Sequence, residues 1–161
     1  MSGETSFGVP PISGGLPVIG ALATWPRAWG NWLNSLWQQV SYLFTRQATV
    51  STTNGTITTI ATITIPVGTT VLIEAKVAAR RTGGSSGTDE DGAGYVIYAA
   101  YKNVTGTATE IGETAVFTAE DQAGWACAFS ASGNTALLRV TGAANNNVDW
   151  MAMYRTTMMV S

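Results

Sequence analysis

The apolar positions of this chain follow two different periods. In the segment TWPRAWGNWLNSLWQQVSYLFTR, residues 24–46, the positions Trp29, Leu33, Leu36, Val40 and Leu43 step by four, three, four and three residues. That is the spacing of a coiled-coil seam, with Leu33 and Val40 at a and Trp29, Leu36 and Leu43 at d, and it predicts one Trp-rich amphipathic helix that requires a partner helix. Trp25 and Trp32 fall at g, and Trp37 and Phe44 at e, while Arg27 and Arg46 are the segment's only charges. So wide an apolar face is expected to be the buried joint of an assembly, which makes Trp29, Leu33, Leu36, Val40 and Leu43 the predicted oligomerisation residues.

From about residue 48 the period drops to two. Ile57, Ala61, Ile63 and Ile65 share one face of a predicted strand, and Val71, Ile73, Ala75, Val77 and Ala79 share one face of the next, with Glu74, Lys76 and Arg80 opposite. Strict alternation of this kind describes half-buried antiparallel strands. Further runs follow at 95–102, 107–118, 125–131, 136–141 and 148–160, for seven or eight strands in all. Their connections, Asn54-Gly55, Pro66-Val67-Gly68, the Gly83–Gly87 run, Gly106, Ser132-Gly133-Asn134 and Asn145-Asn146-Asn147, carry turn chemistry. The expected fold of residues 48–161 is therefore mainly β, an antiparallel jelly-roll-like β-sandwich.

Residues 1–23 obey neither period. Prolines and glycines interrupt Phe7, Val9, Ile12, Leu16, Val18 and Ile19, so the segment is expected to be an extended arm that gains order only by lying in a groove of another subunit. Phe7, Val9, Ile12, Leu16 and Ile19, together with Trp25, are the predicted anchoring residues. The start of the chain lacks the basic region of a signal peptide, and its LPVIGALA run is too short to span a bilayer.

Composition narrows the chemistry. Of the 161 residues only 11% are charged, less than half the roughly 25% of ordinary globular domains, which suits a surface that is covered or densely assembled. A net charge of −2 gives no electrostatic case for nucleic acid or anionic lipid as a partner. The absence of histidine removes Ser-His and Cys-His nucleophilic catalysis and most transition-metal sites. Glu110 with Glu113, or Glu120 with Asp121, are the remaining carboxylate pairs for glycosidase chemistry, although structural hydrogen bonding explains them as well. Cys127, alternating with Trp125 and Phe129, reads as a small buried side chain.

The cluster Thr88-Asp89-Glu90-Asp91-Gly92 lacks the alternating acids of a calcium loop. With Thr82, Ser85 and Ser86 it reads instead as a solvated hairpin tip, the expected host-contact loop if the sandwich is displayed outward. Trp125 and Trp150 have inward parity and are expected in the core rather than on a carbohydrate-stacking platform. Met151, Met153, Met158 and Met159 add apolar bulk on the outward parity as well as the inward, and an outward-facing methionine stripe fits a subunit interface.

The stretch from Val71 to Ser161, with EAKVAARRTGG, EDQAGW and SGNTALLRVTGAANNNVDW, resembles the C-terminal β-sandwich of structural proteins of tailed bacteriophages. The resemblance covers a little over half the chain and implies a virion component made in the host bacterial cytoplasm. It further implies a homotrimer docked on neighbouring virion proteins and, for a fibre, touching a host receptor; from the residue inventory, without histidine, no enzymatic activity and no cofactor are expected. A fibre-like appendage is the first expectation and a capsid decoration protein the alternative. A membrane-interacting protein and a carbohydrate-binding module are more distant; the first is opposed by the scarcity of Lys and Arg beside the tryptophans.

Overall fold

A computed structural model describes residues 45–160. They form eight antiparallel strands: β1 (Arg46–Thr52), β2 (Ile57–Thr64), β3 (Thr69–Gly84), β4 (Gly92–Asn103), β5 (Ala108–Glu120), β6 (Ala126–Ser132), β7 (Thr135–Thr141) and β8 (Asn146–Val160). The arm over 1–23 and the helix over 24–44, with the anchoring residues Phe7, Val9, Ile12, Leu16, Ile19 and Trp25 and the seam residues Trp29, Leu33, Leu36, Val40 and Leu43, lie outside the described residues. At its C-terminal end the predicted helix overruns, because Arg46 is already the first residue of β1 and pairs with Tyr154. The β1 alternation was thin in sequence, since Ala48 and Val50 are its only apolar residues.

The strands divide into a five-stranded sheet, β1-β8-β3-β4-β5, and a three-stranded sheet, β2-β7-β6. Consecutive β3, β4 and β5 run as a meander, so the split is five and three rather than the even division expected of a jelly roll. The core lies between the sheets. Val71, Ile73, Ala75, Val77 and Ala79 of β3 all face it, as do Tyr95, Ile97, Ala99 and Tyr101 of β4 and Val148, Trp150, Ala152 and Tyr154 of β8. From the small sheet come Ala61, Ile63, Phe129, Leu138 and Val140. Trp125 and Trp150 pack with ring centroids 5.8 Å apart, and Tyr95 stacks on Trp150 at 6.3 Å. Both tryptophans are buried, so neither offers a stacking surface to a sugar.

β-Bulges break the alternation at the sheet margins. In β2 the register slips between Thr59 and Ala61, which turns both Ile60 and Ala61 inward and sends Ile57, expected in the core, out to 61% exposure. An extra residue in one strand reverses the facing of everything beyond it. In β5, an edge strand of the large sheet, the register slips twice, at Val116 and at Ile111. Ile111 and Phe117, which share odd numbering with Glu113, therefore stay exposed while Glu113 turns inward.

Candidate functional site

Two groups of polar side chains result from this layout, one at the loop end of the sandwich and one along its β5 flank. At the loop end, the alternation that buries Val71 through Ala79 continues to Arg81, only 9% exposed. A buried guanidinium requires acceptors for its donors. Its Nε donates to the Ser86 carbonyl (2.9 Å), Nη2 to the Gly84 carbonyl (2.7 Å) and Nη1 to Asp89 Oδ1. Asp91, also buried, accepts from the Thr88 amide and from Gln122 Nε2, both at 2.7 Å, and its carbonyl accepts from the Arg81 amide at 2.9 Å.

The segment between β3 and β4 is therefore wrapped around Arg81. Thr82 belongs to β3, as the extra residue of a bulge between Arg81 and Gly83, and its hydroxyl reaches the Asn147 carbonyl at 3.4 Å. Ser85, Thr88, Asp89 and Glu90 are exposed, Ser86 is half-buried, and Asp91 is turned away from solvent. The Ser86 amide donates to the Asn145 carbonyl at 3.0 Å. Gly84, at φ 94°, brings its backbone against Asn145 so closely that no side chain fits there. Glu90 itself takes a φ of 73° and pairs with Arg80 at 3.4 Å. The expected host-contact residues thus divide: Thr88, Asp89 and Glu90 line an exposed rim, while Thr82 and Asp91 hold the rim in place. The three acids do not converge on a cation, and among the described residues no set of three metal-ligating side chains is assembled. Arg81 and Gln122 were missed in sequence; an arginine at the inward parity of a long apolar alternation was the available signal.

Along the β5 flank, the two bulges put Glu110, Glu113 and Glu120 on the inward side of the strand. Glu120 accepts from the Tyr95 hydroxyl (2.7 Å), Glu110 from the Tyr101 hydroxyl (3.0 Å), and Glu113 from the Phe129 amide of β6 (2.6 Å). Burial drives both phenols well above the usual tyrosine range, with their glutamates adding to it. Burial likewise lifts the Glu113 carboxyl above its ordinary value; the Phe129 N–H opposes that, and the charge of Glu110 reinforces it. Asp121 caps the Gly92 amide at 2.8 Å. The carboxylates considered as catalytic pairs are each engaged with a structural donor. Cys127, half-buried beside the core, has its thiol pushed up to about 12, first by burial and then by Glu113, so it stays protonated and a poor nucleophile at neutral pH.

The outward side of the large sheet is the third feature. Its rows read across the strands as Thr49–Met151–Ala78–Gly94–Ala119, Gln47–Met153–Lys76–Val96–Phe117, and Arg155–Glu74–Tyr98–Thr114. The Phe117 ring lies over Gly94, where an added methyl would stand 3.4 Å from Cε1.

No protein-family model matches this sequence, and no curated protein does. The chain is similar to solved tailspike proteins of Acinetobacter phages. That of Acinetobacter baumannii bacteriophage Fri1, a capsular polysaccharide depolymerase, is 11% identical over 71% of this chain and 18% of that one, with a TM-score of 0.33. The tailspike of Acinetobacter baumannii phage AM24 is 11% identical over 72% and 26%, with a TM-score of 0.34. That of Acinetobacter phage vB_ApiP_P1 is 11% identical over 70% and 22%, with a TM-score of 0.30. The chain thus spans 18% to 26% of the length of these proteins, and the depolymerase activity is a property of the phage Fri1 protein.

Proposed function

We propose that this chain is a non-enzymatic structural protein of a tailed-phage virion: a fibre-like appendage, trimeric through residues 29–43, anchored by its first 25 residues and displaying the sandwich. The observation that carries this reading is how the ionisable groups of the sandwich are used. Arg81, Asp91, Glu110, Glu113, Glu120 and Asp121 each satisfy a hydroxyl, an amide or a carbonyl of the fold, which is what a display scaffold needs and what an acid–base pair poised for substrate does not have. The low charge of the whole chain and the resemblance of residues 71–161 to virion sandwiches support the same reading.

Removal of residues 1–23 tests it. The sandwich strands begin after that segment, so folding should persist, while incorporation into particles should be lost; truncated protein co-purifying with particles at wild-type stoichiometry would remove the anchor from the proposal. The tightly bonded loop around Arg81 favours the alternative of a capsid decoration protein, because a loop held at so many points is poorly suited to adapting to a receptor. Ser85→Ala with Thr88→Ala and Glu90→Asn, all on the exposed rim and none of them an acceptor of Arg81, separates the two. A fibre loses adsorption and keeps assembly, whereas a decoration protein loses assembly.

A further inference from the structure

Among the described residues, the outward face of the five-stranded sheet is a surface without a role in the fold. At its centre Met151, Met153, Leu72 and Phe117 are between 43% and 53% exposed, and half-buried Val96, Tyr98 and Ala100 fill the space between them. We propose that this face packs against the same face of other copies of the chain, three such faces meeting around the axis of the assembly. The proposal rests on the trimeric reading above and names the surface that the sandwich contributes to it.

Three observations favour a second copy over a different partner. The face carries knobs and hollows together: Met151, Met153, Leu72 and Phe117 project beside Ala78, Gly112 and Ala119, so each copy offers both halves of an interlocking contact. Its charges are of both signs, with Glu74 between Arg155 (2.5 Å) and Lys76 (3.6 Å) and Arg80 paired with Glu90. Identical faces therefore meet without a field of one sign, whereas a charged partner would call for one. The third is extent: ten or so residues of β3 and β8 across five strands give a face of roughly 700–800 Å² from strand spacing and rise, which, shared between two neighbours, stays under the roughly 800 Å² per partner of a stable interface, as expected of a contact between copies that supplements the seam of residues 29–43.

Methionine oxidation by dilute peroxide, read by peptide mass in the intact full-length protein alongside its mass by light scattering, tests this. Reactivity follows exposure, and Met158, 45% exposed on the opposite side of the sheet where it pairs with Val71, serves as the internal reference. In the assembled protein Met151 and Met153 should oxidise about tenfold or more slowly than Met158, and dilution to the monomer should abolish the difference. The double substitution Met151→Glu, Met153→Glu, on exposed positions, should loosen or dissociate the assembly while Leu36→Asp with Val40→Asp tests the helical seam separately. A trimer in which Met151 and Met153 react as fast as Met158 overturns the proposed face and leaves the trimer standing. A monomer at all concentrations with freely reacting methionines overturns both. Protection that persists in a monomer would mean that another part of the same chain covers the face, and that also overturns the proposal.

Discussion

β3 and β5 belong to the same sheet, both exceed twelve residues, and they resolve the same problem in opposite ways. Central β3 alternates without interruption from Thr69 to Arg81, burying every odd-numbered residue. Marginal β5 carries two bulges, turns glutamates inward and leaves Ile111, Val116 and Phe117 in solvent. A central strand is flanked on both sides, so its face is dictated by the core alone. An edge strand must also avoid pairing with stray strands, and bulges and inward-facing charges are the devices that blunt it. Facing is thus reliable where a strand is enclosed and negotiable where it is not.

The sharpest way to break this contrast uses one residue type on both strands. Ile73 of β3 is fully buried and Ile111 of β5 is 56% exposed. Ile73→Ala should lose about 2–5 kcal/mol through lost transfer energy and the cavity left behind. Ile111→Ala should stay within about 0.5 kcal/mol of wild type. Urea unfolding of the two variants measures both, and similar losses would mean that β5 is as enclosed as β3.

Next in size is the end of β3, where the alternation buries a charge. Arg81→Met keeps much of the side chain's volume but leaves the Ser86 and Gly84 carbonyls without their donor. Hydrogen bonds from charged groups contribute about 1.5–3 kcal/mol each at most in net terms, so a loss of about 2 kcal/mol overall is expected. The distinguishing sign is local: amide exchange across residues 85–91 should accelerate well beyond that of the β3 centre. Uniform acceleration would show that Arg81 supports the fold as a whole rather than the loop.

What could be seen in the sequence follows the same division. Enclosed strands were legible: the inward sets of β3 and β8, Trp150 included, stand where period two puts them, and Trp125, just before β6, is buried as expected. Ile57 and the facing of β5 were not, because a bulge adds one residue without any change in composition. β1 was obscured because Ala48 and Val50 are a weak apolar signal directly after a strong helical one. The acidic loop was legible as a polar tip, but its attachment was not. Asp91 became a buried acceptor only because Arg81 and Gln122, the latter far along the chain, arrive beside it in the fold.

A smaller effect sharpens the account of the flank. Tyr101 is fully buried and its hydroxyl donates to Glu110, which itself remains exposed. Tyr101→Phe removes the donor while leaving the acceptor able to find water, so about 1 kcal/mol should be lost, read as a shift of the denaturation midpoint with unchanged slope. A loss comparable to that of Ile73→Ala would show that the glutamate contacts hold β5 to the sheet.

The smallest effect concerns Glu113, the point where β5 reaches across to β6. Its carboxyl titrates above its ordinary value because burial outweighs the Phe129 N–H. A raised folded-state value means that the ionised form is the disfavoured one: the native state is relatively stronger below the unfolded value and weakens as pH rises through the folded one. Glu113→Gln keeps an oxygen to accept from Phe129 and removes the charge. The variant should therefore be slightly more stable than wild type at pH 7, and the advantage should shrink to nothing as pH falls below the ordinary glutamate range. Thermal melts of both proteins from pH 7 to pH 4 give the difference directly. If instead the amide variant is the weaker protein at pH 7, the ionised carboxylate is holding the Phe129 amide more strongly than burial opposes it, and the open flank of the sandwich depends on charge after all.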